Sequence, residues 1–162
     1  MKKIVWIASY PKSGNTWVRS ILANAIFQES DIVKFSQLIP SLPALNNTLH
    51  PRKNEIRDYG EVMRALEKTQ KVIAENSNNS RCMVKTHTAC GSINGINFPA
   101  LQYTAAVVYL VRDPRDVLIS WAAHMDKSLE ETESVMLDSN FRIAEPGQPM
   151  NREFLSSWEN HV

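Results

Sequence analysis

The chain has 162 residues, enough for one domain with a hydrophobic core of its own. Apolar residues make up 43%, charged residues 22%, and the formal net charge is +1, so bulk attraction to nucleic acid or to an anionic membrane is excluded and any anion site must be local. The two cysteines, Cys82 and Cys90, fit no metal or redox spacing and read as reduced thiols. The N-terminal apolar run IVWIA is too short for a signal or a membrane span, and no other run approaches ~18 residues, so the expectation is a cytoplasmic protein.

Residues 4–8, IVWIA, are continuously apolar, as in a parallel strand buried on both faces. From Thr16 the period becomes helical, with Trp17, Val18, Ile21, Leu22, Ala25 and Ile26 on the expected apolar face. Residues 28–59, with three prolines in IPSLPALNNTLHP, read as a long irregular excursion with room for a helical turn. Residues 61–74 read as a helix and RCMVKTH as a second strand, while ACGSINGINFPA reads as a loop. Residues 105–111, AAVVYLV, are expected to be the most buried strand.

RDPRDVLISWAAHM carries a full set of helix-start signals: Asp113 as N-cap, Pro114 at N1 and Asp116 in the first turn, followed by Val117, Leu118, Trp121, Ala122 and Met125 as the apolar face. Residues 128–137 are a further helix. AEPGQP is a turn, and Asn151 is expected to cap a last helix with Phe154, Leu155, Trp158 and Val162 on one face. Strands alternating with helices predict a three-layer α/β/α domain over 1–162 around a central parallel sheet, with ligands beyond the carboxyl ends of its strands.

The phosphate-loop template G-x-x-x-x-G-K-[ST], laid over residues 9–16, is half matched. Ser9 replaces the first glycine, Gly14 matches the second, Asn15 replaces the lysine and Thr16 fits. Strand, tight loop and helix N-terminus survive, so this is a P-loop-like nucleotide-binding arrangement. Backbone N–H groups of Ser13, Gly14, Asn15 and Thr16 can converge on an oxyanion, with Lys12 supplying a cation from the other side of the loop.

YPKSGNTW (10–17) closely resembles the 5′-phosphosulfate loop of the sulfotransferases that use 3′-phosphoadenosine 5′-phosphosulfate (PAPS), whose usual form has threonine at the position of Asn15. VKTH (84–87) resembles the strand that ends in that family's catalytic histidine. VYLVRDPRDVLISW (108–121) resembles its 3′-phosphate motif, with the arginine at Arg112 and the serine at Ser120, and SSWENHV (156–162) is similar to the helix that follows. The resemblance implies that His87 is the catalytic histidine, acting as general base, and that Trp17 stacks on adenine; Lys85, together with Lys12, can stabilise the bridging oxygen or the transferring sulfuryl group. PAPS would be the co-substrate and PAP, its desulfated form, the product, with no metal required.

The residues themselves fit that chemistry. Lys85 and His87 are two apart on a strand and share a face, imidazole titrates near working pH, and a guanidinium at Arg112 can hold a phosphate through two N–H groups. His50, His124 and His161 have no comparable flanking motif. The family's later glycine- and lysine-rich loop is missing, so the chain resembles an N-terminal portion of the domain, truncated at its C-terminal side. Weak PAPS binding and self-association through exposed apolar surface are expected of it. A small molecule or a glycan could be the acceptor. Two other readings stay open: a non-catalytic PAP- or PAPS-binding relative, and a P-loop kinase using ATP and Mg²⁺.

Overall fold

A computed structural model of the chain describes residues 3–28, 31, 34, 37–49, 59–77, 81–139, 142–145, 148–154 and 156–162. The elements run β1 (Ile4–Ser9), α1 (Asn15–Phe27), α2 (Leu42–Leu49), α3 (Tyr59–Asn76), β2 (Cys82–Thr86), β3 (Gly91–Ile93), β4 (Ile96–Phe98), β5 (Thr104–Leu110), α4 (Pro114–Met125), α5 (Leu129–Leu137), β6 (Arg142–Glu145), β7 (Gln148–Phe154) and α6 (Trp158–His161). This is an α/β fold around a three-stranded parallel sheet of order β2–β1–β5.

The first strand is the central one. Its register sets Ile7 beside Lys85 and Ala8 beside Thr86 on one side, and Ala8 beside Tyr109 and Ser9 beside Leu110 on the other. The carboxyl ends of all three strands therefore arrive together, and each is followed by a motif singled out in the sequence. Ile4, Trp6 and Val84 pack with Val62, Met63 and Leu66 of α3, with Leu42 and with Phe98. The Trp6 indole N–H donates to Thr104 Oγ1 at 3.0 Å, tying β1 to the start of β5. A second cluster joins Tyr10, just past β1, to Val117 and Trp121 of α4 and Met136 of α5. Burying each such large side chain is worth ~1.5–3 kcal/mol, so Trp121 is an anchor of the helical pair.

The α4 start is as the sequence predicts. Asp113 accepts from the Arg115 N–H at 2.9 Å and Pro114 opens the helix. The Arg115 side chain bonds to Asp113 as well, and with the Arg115 backbone N–H it holds the Asp113 carboxyl down at about 2. Ser128 and Glu131 cap α5 reciprocally.

Five expectations are corrected. β5 is not the most buried strand; β1 is, while Ala106, Val107 and Val108 of β5 are exposed. A continuous apolar run signals two covered faces, but β5 lies at the sheet edge and the described elements cover its ends rather than its middle. On α1, Trp17, Ile21 and Ile26 are exposed and the buried residues are Asn15, Arg19 and Ala23. These polar side chains go inward because each meets a main-chain carbonyl: Arg19 Nε and Nη2 both donate to the Ile39 oxygen, at 3.0 and 2.5 Å. The excursion contains a full helix, α2, whose entry Ser41 bridges to Lys85; much of the rest of 28–59 lies outside the described residues.

The loop after His87 contains the β3–β4 hairpin, turned by Asn94 and Gly95 with φ of 52° and 76°. Finally, Asn151 lies in β7, paired with β6, and the last helix is capped by Ser157, which accepts from the Asn160 N–H at 3.3 Å. Leu155 lies outside the described residues.

Candidate functional site

The β1–α1 loop is bent by two left-handed residues, Lys12 (φ 63°) and Gly14 (φ 91°). Gly14 is the N-cap of α1, and no side chain caps that end. The first-turn N–H groups of Asn15, Thr16 and Trp17 thus form an end of partial positive charge suited to an anion. Thr16 is exposed, while Lys12 and Ser13 are half-buried. Trp17 is 75% exposed, so its ring is available for stacking rather than spent on the core.

Asn15 behaves differently from its neighbours. It is buried, and its Nδ2 donates inward to the Ile7 oxygen at 3.0 Å and to Ser9 Oγ at 3.1 Å. The side chain that stands where the phosphate-loop lysine would be is therefore a strut between loop and strand. What it can offer a ligand is its backbone N–H.

His87 follows β2 and meets the end of β1. Its Nδ1 lies 2.7 Å from the Ser9 carbonyl oxygen and 3.2 Å from Ser9 Oγ. A carbonyl can only accept, so Nδ1 carries the proton and donates. In the neutral ring the basic nitrogen is then Nε2. Asn15, Ser9 and His87 thus form one continuous polar line between the loop and the histidine.

Lys85 lies on β2, half-buried, with its backbone N–H donating to the Pro40 oxygen at 2.9 Å. Arg112, just past β5, donates from Nη1 to the Lys12 oxygen at 3.0 Å and has Nε 3.7 Å from Asp116 Oδ2. The structure brings Lys12, His87 and Arg112 to the same end of the sheet by this route: Arg112 bonds to the loop, and His87 bonds to Ser9 at its root. Ser120, on α4, is half-buried, and no bond joins it to that group.

Three residues of this region were missed in the sequence. Ser9 stands at a template glycine position, where it mismatches the motif, yet it holds His87. Tyr10 is fully buried, edge-on to Trp121 and to His161, with ring centroids 5.4 and 5.2 Å apart. His161, passed over for lack of a flanking motif, is brought to His87. A signal existed for Tyr10, an aromatic just before the loop; for His161 only the fold could supply it.

Thr86 and Thr88, on either side of His87, line a cavity of about 660 Å³ whose other walls include Trp6, Phe98, Leu101 and Val107. Its lining is largely apolar.

A family model for the sulfotransferase domain matches residues 2–161. The chain belongs to the sulfotransferase family. A search of curated proteins returned no match for this sulfotransferase chain. Among solved structures it is similar to retinol dehydratase in complex with androsterone and the inactive cofactor PAP, at 21% identity and a TM-score of 0.49, covering 82% of this chain and 45% of that one. It is equally similar to retinol dehydratase with retinol and PAP, at 21% identity and 0.49, covering 84% of this chain and 46% of that one. The chain thus spans less than half the length of those structures. Among the described residues, no helix is long and apolar enough to cross a membrane.

Proposed function

We propose that the chain is the nucleotide-binding and base-bearing part of a single-domain, PAPS-dependent sulfotransferase, working on an acceptor hydroxyl or amine. The observation that carries this reading is the Nδ1–H···O=C bond from His87 to Ser9, which directs the histidine's basic nitrogen away from the strand it is anchored to. The uncapped α1 N-terminus beside Lys12 supports binding of the phosphosulfate, with backbone N–H groups of Gly14, Asn15 and Thr16 as donors, while that of Ser13, also expected to contribute, turns back to the Tyr10 oxygen at 3.4 Å. Arg112 and Ser120 are assigned to the 3′-phosphate and Trp17 to the adenine.

In the reaction the acceptor oxygen attacks sulfur in line. The new S–O bond forms as the bond from sulfur to the bridging phosphate oxygen breaks. The acceptor proton passes to His87 Nε2, and the electron pair of the broken bond stays on the 5′-phosphate of PAP, where Lys12 and Lys85 stabilise it. The walls of the 660 Å³ cavity, which include Thr86, Thr88 and His161 but not His87, suit a molecule with an apolar body. The free thiols Cys82 and Cys90 suit a reducing, cytoplasmic setting.

The test is thermal unfolding with PAP in EDTA, and separately with ATP and Mg²⁺. PAP at ~100 times its Kd should add about 2.7 kcal/mol and raise Tm by several degrees. Stabilisation by ATP with Mg²⁺ alone would overturn the reading in favour of a kinase. Where turnover is measurable, His87→Ala should lower kcat by ~10²–10⁴-fold while PAP binding is kept.

A further inference from the structure

His161 is the most enclosed imidazole of the region, 7% exposed, at the last turn of α6. Its Nε2 lies 2.8 Å from the main-chain oxygen of His87. Its Nδ1 lies 2.5 Å from the Tyr109 hydroxyl, which is also 3.0 Å from the His161 carbonyl oxygen. Tyr10 packs edge-on against one side of the ring at an interplanar angle of 88°, and the Tyr109 ring lies tilted against it with centroids 5.8 Å apart. Both ring nitrogens and the ring itself are thus engaged by residues of β5 and of the segments following β1 and β2.

The hydrogen-bond roles follow from the partners. The His87 carbonyl can only accept, so His161 Nε2 carries a proton and donates to it. The Tyr109 hydroxyl has one proton, which it gives to the His161 carbonyl oxygen at 3.0 Å, and the same oxygen lies against Nδ1. Burial pushes the Tyr109 phenol up to about 12, against the pull of the Tyr10 backbone N–H, so the hydroxyl keeps its proton over the whole range in which imidazole titrates. The proton on His161 Nε2 is therefore set by the His87 carbonyl, and Tyr109 holds the ring and the main chain of His161 in place for that bond.

We propose that His161 is a positioning residue: a buried imidazole that clamps the main chain of His87 so that the His87 ring reaches the Ser9 carbonyl and keeps its proton on Nδ1. β2 ends at Thr86, so the His87 carbonyl lies past the strand, and His161 Nε2 reaches it there. A pinned carbonyl removes the peptide rotation that would swing the imidazole off Ser9. The proposal rests on His87 being the base, but the geometry it predicts does not depend on turnover.

The experiment is ¹⁵N NMR of the histidine side chains of the whole chain, with His161→Ala, His161→Gln and His161→Phe beside the parent. In the parent, His87 should show the Nδ1–H tautomer. In H161A its signal should move toward the Nε2–H mixture of a solvated histidine. In H161Q, whose side-chain amide can still donate to the His87 oxygen, it should stay near the parent. Where turnover is measurable, H161A should lower kcat by ~10–100-fold with KM for the nucleotide changed less than about twofold, the pattern of a misplaced group rather than a lost contact.

A parent-like His87 tautomer in folded H161A overturns the proposal. If H161A does not fold, His161→Phe decides. It fills the space with a ring that has no donor, and an unmoved His87 signal in it overturns the proposal equally. Failure of the sulfotransferase reading looks different: PAP would not bind the parent chain, while the His161-dependent tautomer of His87 would remain.

Discussion

Arg112 donates from Nη1 to the main-chain oxygen of Lys12, 3.0 Å away, and so joins two motifs 100 residues apart. One end of the guanidinium is occupied with the loop and with Asp116, which holds the fork in a set orientation at the end of β5. Arg112→Ala should weaken PAP binding by ~10–100-fold, the range for a hydrogen bond to a charged group. The loss should be larger for PAP than for adenosine 5′-phosphate, because the assignment is to the 3′-phosphate. Arg112→Lys should recover only part of it, since an ammonium lacks the planar fork. Calorimetric titration with both nucleotides checks this, and equal losses would move Arg112 to the 5′ side.

Gly14 should be sensitive for its backbone alone. A Cβ built on it meets no atom within 4 Å, yet φ is 91°. Gly14→Ala therefore costs the left-handed strain of an L-residue, about 1–2 kcal/mol, with no clash added. A fall in Tm of roughly 2–8 °C is expected for a chain of this size. An unchanged melting curve would mean that the loop does not take this bend.

Asn15 should matter for stability more than for binding. Asn15→Ala removes the donor that satisfies the buried Ile7 carbonyl and Ser9 Oγ. That should cost ~1–3 kcal/mol, seen as a lower denaturant midpoint at unchanged slope. If PAP affinity falls while the midpoint does not, the amide faces the ligand instead.

The acid limb of α4 stability has a nameable group. Hydrogen bonds from the Arg115 side chain and then its backbone N–H hold Asp113 at about 2, below its usual 3.8. A depressed carboxyl contributes stability that is present above the unfolded value and is lost as pH falls through the folded one. The cap should therefore persist at pH 4 and weaken between 3.8 and about 2. A ¹³C carboxyl titration of Asp113 should show the low midpoint, and Arg115→Ala should move it up toward 3.8.

How much of this was legible depended on how local its cause was. The α4 start could be read because Asp113, Pro114 and Asp116 act on their own helix. The loop could be read because its residues are consecutive. The β3–β4 hairpin was readable too: Asn94-Gly95 between Ile93 and Ile96 is the dipeptide that favours a two-residue turn, and it was passed over for the surrounding Gly, Asn and Pro. What could not be read was partnership across the chain. The helical period of α1 puts Trp17 and Ile21 on an apolar face, but the burial of Asn15 and Arg19 follows from carbonyls at Ile7 and Ile39. Likewise, nothing near His161 in sequence announces Tyr109 or His87. Hydrophobic periodicity reports which residues can be buried; it does not report which polar residues will find a partner inside.

The central position of β1 also sets a timetable. The strand is made first, and its two neighbours, β2 and β5, emerge about 80 and 100 residues later, which at ~5–20 residues per second is a wait of several seconds on the ribosome. Throughout that interval IVWIA is an apolar segment with both edges open. The newborn chain is therefore most exposed to misassociation at the segment that becomes the best protected in the finished fold, and the phosphate loop attached to it lacks its flanking strands until β2 and β5 have been translated.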